Sequence, residues 1–492
     1  WEWDRLKKQT KKAVRILRKM NSLPYDIEIE LGSDEATCSQ VSFLYGEAQK
    51  FPGNGELFFN LIKSNKRQDK VRIASLDIGG GTTDLMISDY RRMNPHFPEN
   101  SDLEQELIYS DGINFAGDDI LKHLINRCVI ERLRDSLAAN TIDRFQQTFG
   151  DAAPDAQKQE RLDVMKALFI PMAELYMHCM DKNIEGNEFN NKTCYELNKY
   201  LQKNHLNQIK KFNDTIIKTN EILGSFDEPF SAFSINDPVP SINELEAEVM
   251  RIFQPTLLRF AWVIREHRPD YLILAGKTTS LPVIPRKLRE WISLPPSKII
   301  PLKGFHTGSW HPFSKLGAVH DPKTSVVVGN AISHISKNRQ MSDVNITTAG
   351  PGSEFTLNFV GSNVAGKTLN QRQLLYKNGH PINNEVHYAG GKINILYRNI
   401  DDNSMPCNLM YVLDLNVQER NIQLNGQEVL TIIINTDNPE NKVYVEEVRG
   451  DVMDMESNQT RPATIDDVRL NEQTLFEGEY FLDNGKFQIL NR

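Results

Sequence analysis

The sequence predicts an α/β domain with a helical insertion, followed by an all-β domain. Three observations lead there. The apolar runs Val71 to Ile78 and Leu85 to Tyr90 flank a glycine-rich turn and alternate with the period of strands. Helical stripes then surround a short run, Tyr271 to Leu274, apolar enough for a strand buried on both faces. Beyond about Val344 the chain changes to short alternating runs (Lys392 to Tyr397, Leu409 to Leu415, Val429 to Ile434) separated by Asn, Asp and Gly, the pattern of a separate β domain.

Taken in order, residues 1–21 place Trp3, Leu6, Ala13, Leu17 and Met20 at helical spacing among lysines and arginines, an amphipathic helix with a solvated basic face. A short strand is expected at Ile27 to Leu31. A helix follows from about Asp34 to Phe51, stopped by Pro52-Gly53-Asn54-Gly55. The stripe Leu121, Leu124, Ile125, Cys128, Val129, Leu133 marks a helix over Ile120 to Leu137. Residues from about 138 to 241 are polar and largely helical in pattern, which reads as an insertion. A long helix spans Ile242 to Arg265, with a kink expected before Pro255. The division is therefore 1–70, 71–343 and 344–492.

At 492 residues the chain has room for two to four domains, and its net charge of −8 argues against a broad nucleic-acid-binding face. Cys38, Cys128, Cys179, Cys194 and Cys407 never form a C-x-x-C pair, which disfavours a disulfide framework and a zinc site and suits a reducing cytoplasm. No apolar run approaches the roughly 20 residues of a membrane-spanning helix, so no transmembrane segment is expected.

The chemistry concentrates in Leu76-Asp77-Ile78-Gly79-Gly80-Gly81-Thr82-Thr83-Asp84. Glycines let backbone N–H groups approach an anion closely, since no side chain intervenes and positive φ costs little. In a Rossmann or P-loop site a helix follows the glycines. Here Leu85 and Ile87 alternate with Met86 and Ser88, so a strand follows and the motif is a β-hairpin.

A hairpin of the form D-x-G-G-G-T-x-D resembles the second phosphate loop of the actin, Hsp70 and sugar-kinase superfamily. The resemblance implies an actin/Hsp70-like (ribonuclease H-like) lobe that binds ATP with Mg²⁺. It implies that Asp77 holds water ligands of the metal, that Gly79, Gly80 and Gly81 with Thr82 and Thr83 take the phosphates, and that Thr82 orients the attacking water. Ala275-Gly276-Lys277-Thr278-Thr279-Ser280-Leu281-Pro282 is similar to the adenosine loop, placing Gly276, Lys277 and Thr278 near the nucleoside, with one glycine where many relatives have two. Asp321-Pro322-Lys323-Thr324 through Ala331 resembles the closing helix, whose glycine, Gly329, permits tight packing. The helix ending in Tyr45-Gly46 resembles the other interlobe helix, where an acidic or amide residue polarises the lytic water; Glu35 and Gln40 are the candidates. Gly117 opens a helix after Asp111-Gly112-Ile113-Asn114-Phe115-Ala116, either as an anion site or with ordinary capping by Asp118. Together with Gly308-Ser309-Trp310-His311-Pro312-Phe313, these motifs are similar to those of the bacterial virulence factor SrfB family, a divergent Hsp70-like group.

A first phosphate hairpin is missing. The chain opens at Trp1 within a charged helical pattern, so that hairpin is expected upstream, and this stretch alone is expected to bind nucleotide weakly and hydrolyse it poorly. Gly361-Ser362-Asn363-Val364-Ala365-Gly366-Lys367-Thr368 fits the Walker A pattern literally, but the preceding Phe355 to Val360 alternates like a half-solvated antiparallel strand, and a chance lysine-threonine turn is expected. Asp181 to Gly186 begins like a calcium loop but places Lys192 where a bidentate Glu is needed. The expected function is ATP-Mg binding coupled to lobe closure, with a protein partner or client on the β domain. The alternative is a non-catalytic scaffold, and a small-molecule kinase ranks third.

Overall fold

The computed structural model describes residues 2–21, 32–63, 70–93, 96–97, 102–131, 149–182, 240–338, 344–348, 358–364, 366–403, 406–424, 428–437, 442–472 and 481–487. The strand expected at Ile27 to Leu31, much of the helical insertion and most of the calcium-like loop lie outside them. Asp181, that loop's first residue, is paired to Lys303 Nζ at 2.7 Å.

A six-stranded sheet carries the glycine hairpin. Strands β1 (Lys70–Ile78), β2 (Thr83–Arg92) and β3 (Leu103–Ile113) form an antiparallel meander; β4 (Tyr271–Ala275) runs parallel to β1, and β5 (Ile299–Pro301) parallel to β4. Period-2 alternation sorts the side chains. Val71 and Ile73 of β1 and Tyr271 and Ile273 of β4 join one core, while Leu76, Ile78, Leu272 and Leu274 join the other. The first core is covered by α1 (Glu35–Ala48) and α2 (Pro322–Lys337), through Val41, Phe43, Leu44, Val328 and Ile332. The second is covered by α3 (Gly117–Leu124), the insertion helix α4 (Ile170–Lys182) and α5 (Ile242–His267). A Ser241–Glu244 capping box starts α5, and the helix continues through Pro255 to His267.

Where α1 and α2 cross, a Cβ on Gly329 would lie 1.9 Å from the Cys38 carbonyl oxygen, so only glycine permits this approach. Ser75, Asp77 and Asp84 share the sheet face that α1 covers, because they fall two residues apart from Ile73 in β1 and pair across to β2. Asp77 stands at the end of that face, beyond the core.

The β-rich region begins near residue 358. A second six-stranded sheet, including the strands Phe359–Asn363, Leu374–Lys377, Ile393–Arg398 and Asn408–Leu415, is antiparallel throughout. It shares its core with a three-stranded sheet: Val360, Ile395 and Leu413 meet Val386, Ile432 and Val443.

The packing moves the expected boundaries. Ile346–Thr347 pairs parallel to β3, and Val344 and Ile346 belong to the first core, so residues 344–348 complete the first sheet. At the other end, Phe481 and Phe487 pack with Phe149 and Phe169 of the insertion, and the Phe487 N–H donates to the Phe149 carbonyl at 2.7 Å. Nor is there a packing boundary at 70/71, since Phe58 and Phe59 of the helix Gly55–Ile62 share the α1 core.

Candidate functional site

The turn between β1 and β2 is held from behind by two other loops. Asp77 pairs with Asp84 and Ile78 with Thr83, after which the Gly79 N–H donates to the Thr82 carbonyl at 2.9 Å. The Gly79 carbonyl does not close the turn in return. It accepts the Gly117 N–H at 3.1 Å and the Thr278 hydroxyl at 2.9 Å, while the Gly80 carbonyl accepts the Asp118 N–H at 2.7 Å. The carbonyls are thus engaged by α3 and by the turn after β4, and among the described residues the amides of Gly80 and Gly81 donate to nothing.

The glycines divide into two kinds. Gly276 needs its lack of a side chain: φ is +80° and a Cβ would fall 2.2 Å from the Ile78 carbonyl oxygen. At Gly117 a Cβ would come within 2.4 Å of Thr278 Oγ1. Gly79, Gly80 and Gly81 have no left-handed φ, and the closest atoms to a Cβ on them are at 3.4 Å, at 3.2 Å and beyond 4 Å respectively. Conformation asks for glycine at none of the three; packing leaves open space at Gly81 and ordinary contact at Gly79, while at Gly80 the Asp118 carboxylate would have to give by a few tenths of an ångström.

Two carboxylates face each other at the base of the turn. Burial, the neighbouring Asp84 and Glu35 push the Asp77 carboxyl up to about 7, against the opposing pull of Lys323. Burial raises Asp84 to about 6, despite a 2.7 Å hydrogen bond from the Thr82 hydroxyl, and Glu35 and Asp34 raise it further. Such a pair resists carrying two charges unless a cation arrives. Its hard oxygen ligands suit Mg²⁺ that keeps several of its waters. Among the described residues no three His, Cys, Asp or Glu side chains converge into a protein-only metal cage.

The expected site residues therefore separate. Asp77, Gly79, Gly80, Gly81 and Thr82 come together on the exposed turn, with Glu35 at the first position of α1 acting on both carboxylates. Gln40 does not reach it. Its side chain is fully buried, donating to Ser75 Oγ at 2.9 Å and accepting from Tyr90 Oη at 2.8 Å, because it lies a turn and a half further along α1, over the sheet. Thr83 is also buried and donates to the Phe115 carbonyl at 2.7 Å; strand alternation turns it away from the ligand side. Gly117, Gly276 and Thr278 buttress the hairpin, so they position it, while Lys277 is exposed at the start of the short helical turn Lys277–Ser280.

Sequence reasoning left out Asp84, whose place opposite Asp77 follows from the hairpin register, and Lys323 in the first turn of α2, whose charge acts on Asp77. Counting outward from the two-residue turn Gly80-Gly81 would have found Asp84. The Walker-like segment is a different object. Gly361 to Asn363 end the strand Phe359–Asn363, antiparallel to both its neighbours, and Asn363 Nδ2 donates to the Thr368 carbonyl at 2.9 Å.

No helix of the described residues is long and apolar enough to cross a membrane. No curated protein gives a match to the chain. The model of the virulence factor SrfB family matches residues 2–488, essentially the whole chain. This protein therefore belongs to the SrfB virulence factor family.

Proposed function

We propose that the β1–β2 hairpin is one wall of a Mg²⁺-nucleotide site, with ATP as the nucleotide, in an actin/Hsp70-type lobe. The observation that carries this reading is the glycine triplet. Gly81 dispenses with a side chain for which the chain leaves open space, and among the described residues the amides of Gly80 and Gly81 have no acceptor. A ligand that presses against the backbone and accepts those N–H groups accounts for both, and a polyphosphate does so best. Asp77 and Asp84 would hold Mg²⁺ through its waters; when bound, the metal supplies charge neutralisation to the phosphates. Thr82, whose hydroxyl donates to Asp84 at 2.7 Å, would orient a water beside them. The β-rich region would respond to nucleotide state and carry the protein partner or client.

Calorimetric titration of the chain with Mg·ATP tests the reading. Binding is expected, and Asp77→Ala is expected to weaken it by two orders of magnitude or more, since one substitution removes a carboxylate that would hold the metal's waters. Equal affinity in both proteins would reject the assignment. A second reading, a scaffold that holds nucleotide without turning it over, draws support from Gln40. Its burial leaves Glu35 as the sole survivor of the two water-polarising candidates. Phosphate release measured alongside binding separates the readings: binding without turnover favours the scaffold.

A further inference from the structure

The Asp84 carboxylate is bracketed on two sides. Its Oδ2 accepts the Thr82 hydroxyl at 2.7 Å, and Gly112 lies opposite on β3, where a Cβ would fall 2.3 Å from Asp84 Oδ1. Glycine is needed at 112 because the carboxylate takes the room of a side chain. Where Asp84 can stand therefore depends on where the Gly112 backbone is held.

That backbone is held by the β-rich region. Among the described residues, β3 is paired on its outer side at Leu103 and Glu104 alone, by Ile346–Thr347, so its far end presents strand-edge groups to whatever lies beside it. Asn408, buried at the first position of the strand Asn408–Leu415, fills the place of a neighbouring peptide. Its Oδ1 accepts the Asn114 N–H at 2.9 Å, and its Nδ2 donates to the Gly112 carbonyl. A carboxamide suits this task, because it carries both the acceptor and the donor of a peptide group. Asn399 makes a second link one residue away, its Nδ2 donating to Asp111 Oδ1 at 3.0 Å, but strand alternation puts Asp111 on the opposite sheet face from Asp84. Of the two links, it is the one through Asn408 that lies beneath a carboxylate of the candidate site.

We propose that Asn408 is a positioning residue of the nucleotide site: through Gly112 it fixes Asp84, and so makes Mg²⁺-nucleotide affinity depend on a residue of the β-rich region. The inference rests on the nucleotide reading of the hairpin. By linkage, bound nucleotide strengthens the Asn408–Gly112 link in return. Without the carboxamide, the Gly112 carbonyl and the Asn114 N–H lose their partner, and the end of β3 is free to shift beneath Asp84.

The experiment is calorimetric titration of the chain with Mg·ATP, alongside thermal melting, for wild type, Asn408→Ala and Asn399→Ala. Each variant loses a link between the same two regions, so both are expected to melt at a lower temperature, and affinity is the quantity that separates them. Asn408→Ala is expected to lower Mg·ATP affinity at least fivefold, and Asn399→Ala less than twofold. Unchanged affinity in Asn408→Ala, or equal losses in the two variants, would overturn the role of Asn408 while leaving the hairpin reading standing. If Asn408→Ala does not fold, hydrogen exchange at the Asn114 amide of the wild type decides. At least threefold slower exchange is expected with Mg·ATP, and unchanged exchange while nucleotide binds would overturn the role. Wild-type protein that binds no nucleotide would overturn both readings, a pattern distinct from the others.

Discussion

Two turns in this chain have the composition of a phosphate loop, and their surroundings set them apart. At Gly79 to Gly81 the carbonyls are tied down by Gly117, Asp118 and Thr278, two amides are left over, and two carboxylates stand at the base. In the Gly361 to Thr368 segment the first glycine lies in a strand paired antiparallel on both sides and the lysine in the connection that follows: a Cβ on Gly361 would meet the Gln373 carbonyl oxygen at 2.5 Å, and the Lys367 carbonyl accepts the Cys407 N–H at 2.6 Å. The first turn is short of internal partners where a ligand would sit; the second uses its groups to hold the sheet together. A literal motif match therefore says less than the hydrogen bonds that the turn makes and leaves unmade.

The contrast between the turns is most vulnerable at Gly276, which supports the first. Gly276→Ala forces a left-handed φ on a residue with a Cβ and drives that Cβ into Ile78, so a loss of roughly 3 kcal/mol is expected in urea unfolding. A loss below about 1 kcal/mol would show that the buttress can shift and that the turn is less fixed than its packing implies.

Comparable in size is a pH effect. Asp77 and Asp84 titrate at about 7 and about 6 in the folded protein, above the ordinary value of 3.8, so between about pH 4 and 7 the folded state holds protons that the unfolded state has released. Stability contributed here is present at low pH and is lost as pH rises through that window. A carboxyl whose pKa rises by one on folding costs the ionised protein about 1.4 kcal/mol. Asp77→Asn is expected to raise the melting temperature at pH 7.5, by about 2–4 °C for each kcal/mol recovered, and to flatten its change between pH 5 and 7.5. Equal pH profiles for the two proteins, measured with chelator present, would contradict the proposed coupling of the pair.

Smaller still is the expected effect of Gly81→Ala on the fold, less than about 1 kcal/mol, because the site offers open space and no left-handed φ. The same change should weaken Mg·ATP binding at least tenfold. Stability falling with affinity unchanged would make Gly81 a structural glycine like Gly276. The smallest effect belongs to the second turn: Lys367→Ala should leave Mg·ATP affinity within about twofold.

Much of this was legible in the sequence where the periodic signal is long. The hairpin strands, the buried strand Tyr271–Ala275 and the helix after Ser241 follow from apolar spacing, and the helix after Asp321 from the family resemblance. What escaped had little pattern to show. Ile346–Thr347 is a two-residue strand, and Phe481 and Phe487 lie in a short segment whose partners are more than three hundred residues away. Strand β3 carries Glu104, Glu106 and a register shift, which mask its alternation. At the site, composition and spacing marked the glycine turn, and the family resemblance singled out Asp77. It could not tell that Gln40 faces the sheet or that Thr278 props the turn from behind, since both depend on packing between elements distant in sequence.

The nucleotide reading stands or falls on whether the Gly80 and Gly81 amides receive phosphate. Hydrogen exchange at those two amides, resolved by NMR with and without Mg·ATP, addresses this without intermediaries. At least tenfold slower exchange is expected with nucleotide, and the slowing should be lost in Asp77→Ala. Exchange at both amides that stays unchanged while nucleotide binds elsewhere on the chain would contradict it.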